Sequence, residues 1–119
     1  MAIRYHARMD GIAWAASAMV AARTRLEIAT QNLANVSTDG FRPIAAHGFL
    51  TALGVTISRE RVLEPAGSIR AAGLVSNGVD AIAEMIDVLA AERAFESAQK
   101  AVAAIDAARQ KSAEAARIK

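Results

Sequence analysis

The chain reads as mainly α, with long N- and C-terminal helices pairing as an antiparallel coiled-coil-like bundle around a short β-hairpin or irregular middle segment. Three observations carry this. An unbroken apolar heptad runs through residues 12–36, a second helical pattern fills the last forty or so positions, and the glycine-punctuated stretch between them loses helical periodicity. The natural divisions are 1–43, 44–75 and 76–119, parts of one structural module.

In the first helix, Ile12, Ala15, Met19, Ala22, Leu26, Ala29, Leu33 and Val36 alternate spacings of three and four. One position of the repeat is large and the other is alanine three times running, so a partner helix can approach closely at the alanine levels. Asp10 is the expected N-cap, and about 26 residues at ~1.5 Å each predict a rod of roughly 40 Å. Trp14, Val20 and Ile28 lie off this seam and imply a second neighbour.

The helix ends in Asn32-Leu33-Ala34-Asn35-Val36-Ser37-Thr38-Asp39-Gly40-Phe41-Arg42-Pro43. Asn35 can adopt the left-handed conformation or bond its own backbone, and Asp39-Gly40 supplies a tight reversal. Phe41 then points in a fixed direction, and Arg42-Pro43 forces an extended exit. Beyond it, Gly54-Val55-Thr56-Ile57-Ser58-Arg59 alternates as a strand should. Ser68-Ile69-Arg70 is a weaker candidate partner, with Glu64-Pro65-Ala66-Gly67 as a turn.

The last helix is expected to start between Asn77 and Asp80 and to run to about Arg117. Asp80, Glu84 and Asp87 sit in its first turns and Arg109, Lys111, Arg117 and Lys119 near its end, as the helix dipole favours. One apolar seam is Val79, Ile82, Ile86 and Leu89, with Arg93 on its extension as an interfacial arginine. A second is Val88, Ala91, Phe95, Ala98, Val102 and Ile105. Two overlapping seams call for two packing partners, or one that wraps around. The predicted packing interface is therefore Ile12, Met19, Leu26, Leu33 and Val36 on one helix, with Val79, Ile82, Ile86, Leu89, Arg93, Phe95 and Val102 on the other.

Composition narrows the function classes. Thirty of 119 residues are alanine and five are aromatic, which favours close helix packing over a bulky independent core. With no cysteine, disulfides, thiolate zinc sites and cysteine nucleophiles are excluded. The net charge of +2 divides as +2 over 1–42, +1 over 43–76 and −1 over 77–119, so no basic arm for nucleic acid exists. His6 and His47 lack carboxylates at ligand spacing, and neither a nucleophile elbow nor a phosphate loop is present. Neither catalysis nor a metal or other cofactor is expected. Arg4 and Arg8 precede the uncharged run from Gly11 to Ala22, and Ala16-Ser17-Ala18 imitates a leader cleavage site. Asp10 abuts that run and its periodicity continues past it, so an uncleaved helix is the expectation; twelve residues are also too few to cross a bilayer.

Asn32, Ala34, Asn35, Thr38, Gly40, Phe41 and Arg42 match, in type and spacing, the signature of bacterial flagellar rod and hook proteins. Ser76-Asn77, Val79-Asp80, Glu84-Met85 and Arg93-Ala94-Phe95-Glu96 resemble the C-terminal helix of the same family, with Gly78 inserted and Glu92 where Gln is usual. The chain thus resembles the flagellar basal body rod proteins, most nearly the small proximal ones. The resemblance implies a structural axial subunit whose terminal helices form a layer lining the rod channel, with 44–75, a reduced β-rich insert, facing outward. It implies export through the flagellar type III apparatus without signal cleavage, then polymerisation in the periplasm with copies of itself and other rod proteins to transmit torque. Neither nucleic acid nor direct membrane insertion is implied.

Two other readings share the seams. A generic helical-hairpin coiled-coil adaptor would give the turn no special task. A peripheral membrane anchor built on Trp14 lacks the lysines and arginines its polar face needs. The alanine-rich seams also predict folding coupled to assembly, since little apolar area is buried per residue ordered.

Overall fold

The computed structural model describes residues 11–52, 54–62 and 78–117. Helix α1 spans Gly11–Ala34, strands β1 (Ile44–Thr51) and β2 (Gly54–Arg61) form a two-stranded sheet, and helix α2 covers Ala81–Arg117. The expected N-cap Asp10 lies outside the described residues.

The helices run antiparallel along the alanine levels of the seams. Ala15, Ala22 and Ala29 of α1 and Ala91 and Ala98 of α2 are buried, while Ile12, Met19, Leu26 and Leu33 are half-buried between them. Alanine at these levels draws the two backbones together, and the larger residues interlock around the join. Gly11 extends the close approach to the first turn of α1: a Cβ there would stand 2.9 Å from Ile105 Cδ1. Val36 falls beyond the end of α1 and is 38% exposed.

Of the two seams on α2, only one faces α1. Val88, Phe95, Val102 and Ile105 are half-buried beside Ala91 and Ala98. Val79 is half-buried, but Ile82, Ile86 and Leu89 are exposed by 71%, 59% and 54%. Their expected packing is therefore not found among the described residues. Arg93 is likewise exposed, and it makes no hydrogen bond or ion pair among the described residues. At 100° per residue these positions project from the side of α2 opposite Ala91 and Ala98. Asp80 caps the helix, its Oδ1 accepting from the N–H groups of Ile82 (3.1 Å) and Ala83 (3.2 Å).

The hairpin departs from expectation in one strand. β2 forms where the alternation of Gly54 to Arg59 predicts it, but its antiparallel partner is Ile44–Thr51, paired from Ile44↔Arg61 to Thr51↔Gly54. Ser68-Ile69-Arg70 and the turn Glu64 to Gly67 lie outside the described residues. Gly54, at φ 111°, closes the connection with a conformation closed to most side chains. The sheet lies against α1, where Ile28 is buried, and the Val55 N–H donates to Ser17 Oγ at 3.1 Å. Of the three off-seam residues, Ile28 thus has its neighbour inside the chain, while Trp14 and Val20 stay 37% and 65% exposed. Glu27 accepts from Arg59 Nη2 at 2.9 Å and lies 3.3 Å from Arg23 Nε, an exposed ion-pair cluster joining helix to sheet.

No helix among the described residues is long and apolar enough to cross a membrane.

Candidate assembly interface and signature turn

Asn32 is the most buried side chain among the described residues, 1% exposed. Its Oδ1 accepts from the Ile44 N–H at 2.9 Å, and its Nδ2 donates to the Ile44 carbonyl at 2.9 Å and to Glu84 Oε1 at 3.1 Å. One carboxamide thus joins the last turn of α1, the start of β1 and the first turns of α2. Such a group is costly to bury without partners and directional once it has them. No buried side-chain polar atom among the described residues is left unpaired.

Glu84 holds its place under electrostatic tension. Partial burial pushes its carboxyl above the ordinary glutamate range, the Asn32 donor opposes that, and the charges of Asp87 and Asp80 push it further up.

The turn after α1 is built largely by Asn35. Its Nδ2 donates to the Gln31 carbonyl at 2.9 Å, its Oδ1 accepts from Thr38 Oγ1 at 3.1 Å, and its carbonyl accepts from the Thr38 N–H at 3.0 Å. Asn35 does not adopt the left-handed conformation; φ is positive at Gly40 instead, 71°. The Phe41 N–H donates to the Thr38 carbonyl at 3.3 Å, so residues 38–41 make a reversal with glycine third, where a type II turn requires it. Phe41 is half-buried under the guanidinium of Arg61, 5.6 Å from the ring centroid, and Arg61 Nη1 donates to the Arg42 carbonyl at 2.9 Å. Ala34 and Arg42 are exposed.

The structure therefore brings Asn32, Asn35, Thr38, Gly40 and Phe41 into one locked exit. Its partners Ile44, Arg61 and Glu84 are not singled out for that task by the sequence. A usable signal exists for Glu84, which stands four residues before Val88 and seven before Ala91, in the register that faces α1. His47 Nε2 lies 2.9 Å from Glu60 Oε2 on the outer face of the hairpin, while His6 lies outside the described residues. Among the described residues no group of three or more metal-ligating side chains converges.

The remaining feature is the outer face of α2. Ile82, Met85, Ile86 and Leu89, spaced three, four and seven from the first, form a stripe more than half exposed. Soluble chains seldom leave such a stripe bare unless it meets another protein.

A helical pair with a locked exit turn and an uncovered apolar flank defines a structural assembly module. Residues 12–42 match the family model for the flagella basal body rod protein, and residues 74–115 match that for the flagellar basal body rod FlgEFG protein C-terminal region. The chain belongs to the flagellar basal body rod family, and its role there is structural, in association with other rod components at the basal body. No curated protein matches the chain. The two matched segments meet in space at the Asn32–Glu84 hydrogen bond.

Proposed function

We propose that the protein is a small axial subunit of the proximal-rod type, which polymerises through its terminal helices with copies of itself and with sibling rod proteins and so transmits torque. The observation that carries this is the stripe Ile82, Met85, Ile86 and Leu89, turned away from α1 and open to a neighbour. Helices clad in neighbours on every apolar face leave few soft contacts to shear, which is what a torque-bearing tube needs. In this reading Ile12, Met19, Leu26, Leu33, Phe95 and Val102 hold the helical pair, while Val36, Ile82, Ile86, Leu89 and Arg93 meet other subunits. Export runs through the flagellar type III apparatus with the N-terminus uncleaved, and the chain neither inserts into a membrane nor binds nucleic acid nor catalyses a reaction.

Deletion of the gene tests the reading. The strain should be non-motile and lack complete rods, and the wild-type gene should restore both. Normal swimming by the deletion strain would overturn it. Mass measurement of the protein from isolated basal bodies should find the N-terminal residues in place.

A further inference from the structure

Among the described residues, β1 has one edge paired with β2 and one edge open. Ile44 sends both its N–H and its carbonyl to Asn32, away from β2. Backbone groups alternate sides along a strand, so those of Ala46, Gly48 and Leu50 point the same way. The sheet has two strands, and no hydrogen bond reaches these groups among the described residues. Nor is the edge guarded: Ala46, Gly48, Phe49 and Leu50 offer neither charge nor proline, the usual means of blunting one, and Leu50 is 80% exposed. β2, by contrast, ends in Arg59-Glu60-Arg61, and the Val55 N–H is already taken by Ser17.

Alongside Ala46 runs an open cleft of about 430 Å³, with Asp87, Ala90 and Ala94 of α2 as the opposite wall, Arg25 on its floor and Asn32 at one end. Arg25 is in no described ion pair. Its guanidinium lies over Gly48, where a Cβ would fall 2.7 Å from Nη2.

We infer that this cleft is a strand-addition site, in which an extended segment of a neighbouring axial chain pairs its main chain with Ala46–Leu50. The segment continues a pairing that the Asn32 carboxamide begins at Ile44. Main-chain bonds supply the register, and the alanine wall accepts small side chains. The inference rests on the assembly reading above and adds the kind of segment the neighbour contributes.

Quenched hydrogen exchange on isolated basal bodies and on dilute monomer tests it. The amides of Ala46, Gly48 and Leu50 should exchange about ten-fold or more slowly in the rod than in the monomer. Those of Ala45 and His47, bonded to β2, should exchange alike in both when normalised to the remaining hairpin amides. Ala46→Pro removes an outward N–H without touching a bond to β2, and should lose incorporation into rods while keeping the wild-type dichroism spectrum. Ala46→Ser should incorporate normally. Edge amides that exchange equally fast in assembled rods, or an Ala46→Pro chain that incorporates like wild type, would overturn the inference and leave the assembly reading intact. Absence of the wild-type protein from rods would overturn both.

Discussion

The Asn32 side chain donates to Glu84 Oε1 across 3.1 Å and 52 residues of sequence, tying the last turn of α1 to the first turns of α2 while its other contacts hold Ile44. The exit of α1, the start of β1 and the first turns of α2 therefore meet at one buried carboxamide.

Replacing Asn32 with Ala should remove all three bonds and strand the Ile44 amide and carbonyl in a part-buried site. A loss of about 1–3 kcal/mol is expected, read as a lower denaturant midpoint by dichroism. Asn32→Asp keeps an acceptor for the Ile44 N–H but turns a carboxylate toward Glu84 and the Ile44 carbonyl, and should cost at least as much at neutral pH. A midpoint unchanged in both variants would show that the junction is held elsewhere.

Glu84 makes that junction sensitive to pH. Its carboxyl titrates above the ordinary glutamate range because burial, opposed by the Asn32 bond and reinforced by Asp87 and Asp80, disfavours its charge. The folded state then binds the proton more tightly than the unfolded state does, so the associated stability is fully present below the unfolded pKa and is lost as pH rises through the folded one. Glu84→Gln keeps a carbonyl oxygen for Asn32 without the charge. Measured against wild type, it should gain stability as pH rises from the mildly acidic range to neutral, with the difference levelling off in acid. A difference that does not change with pH would refute this.

Gly40 is asked for its backbone alone, since a Cβ there would meet nothing within 4 Å while φ stands at 71°. Gly40→Ala should therefore cost about 1 kcal/mol from conformation with no steric penalty, and Gly40→Asn, which tolerates this region better, should cost less. Denaturant midpoints of the two variants give the order directly; alanine as mild as asparagine would contradict it.

The sequence announces α1 and α2 because each carries a long repeat that only a helix can put on one face. It announces the turn because Asp39-Gly40 and Asn35 are punctuation, yet it leaves open which residue goes left-handed. β1 is harder to see: Ala45, Ala46 and Gly48 have little strand propensity, and the strand is imposed from outside, by β2, by Asn32 at Ile44 and by the fit of Arg25 over Gly48. Nor does periodicity say which of the seams on α2 belongs to α1. Alanine decides, since Ala91 and Ala98 permit the close approach while isoleucine and leucine at 82, 86 and 89 would hold the helices apart.

That division of α2 sets the residues that pair the helices apart from those open to a neighbour, and opposite substitutions should expose it. Ile86 is 59% exposed, so Ile86→Asp should shift the stability of the dilute monomer by no more than about 0.5 kcal/mol and leave secretion intact, yet abolish motility and incorporation into rods. Ala91 is 3% exposed against α1, so Ala91→Leu should push the helices apart at a cost of about 1–3 kcal/mol in the monomer itself. Denaturant midpoints of secreted monomer, set beside swimming-halo diameters, distinguish the two effects. An Ile86→Asp chain as unstable as Ala91→Leu would mean that the stripe is already covered in the solitary molecule, and a fully motile one would mean that no neighbour sits on it.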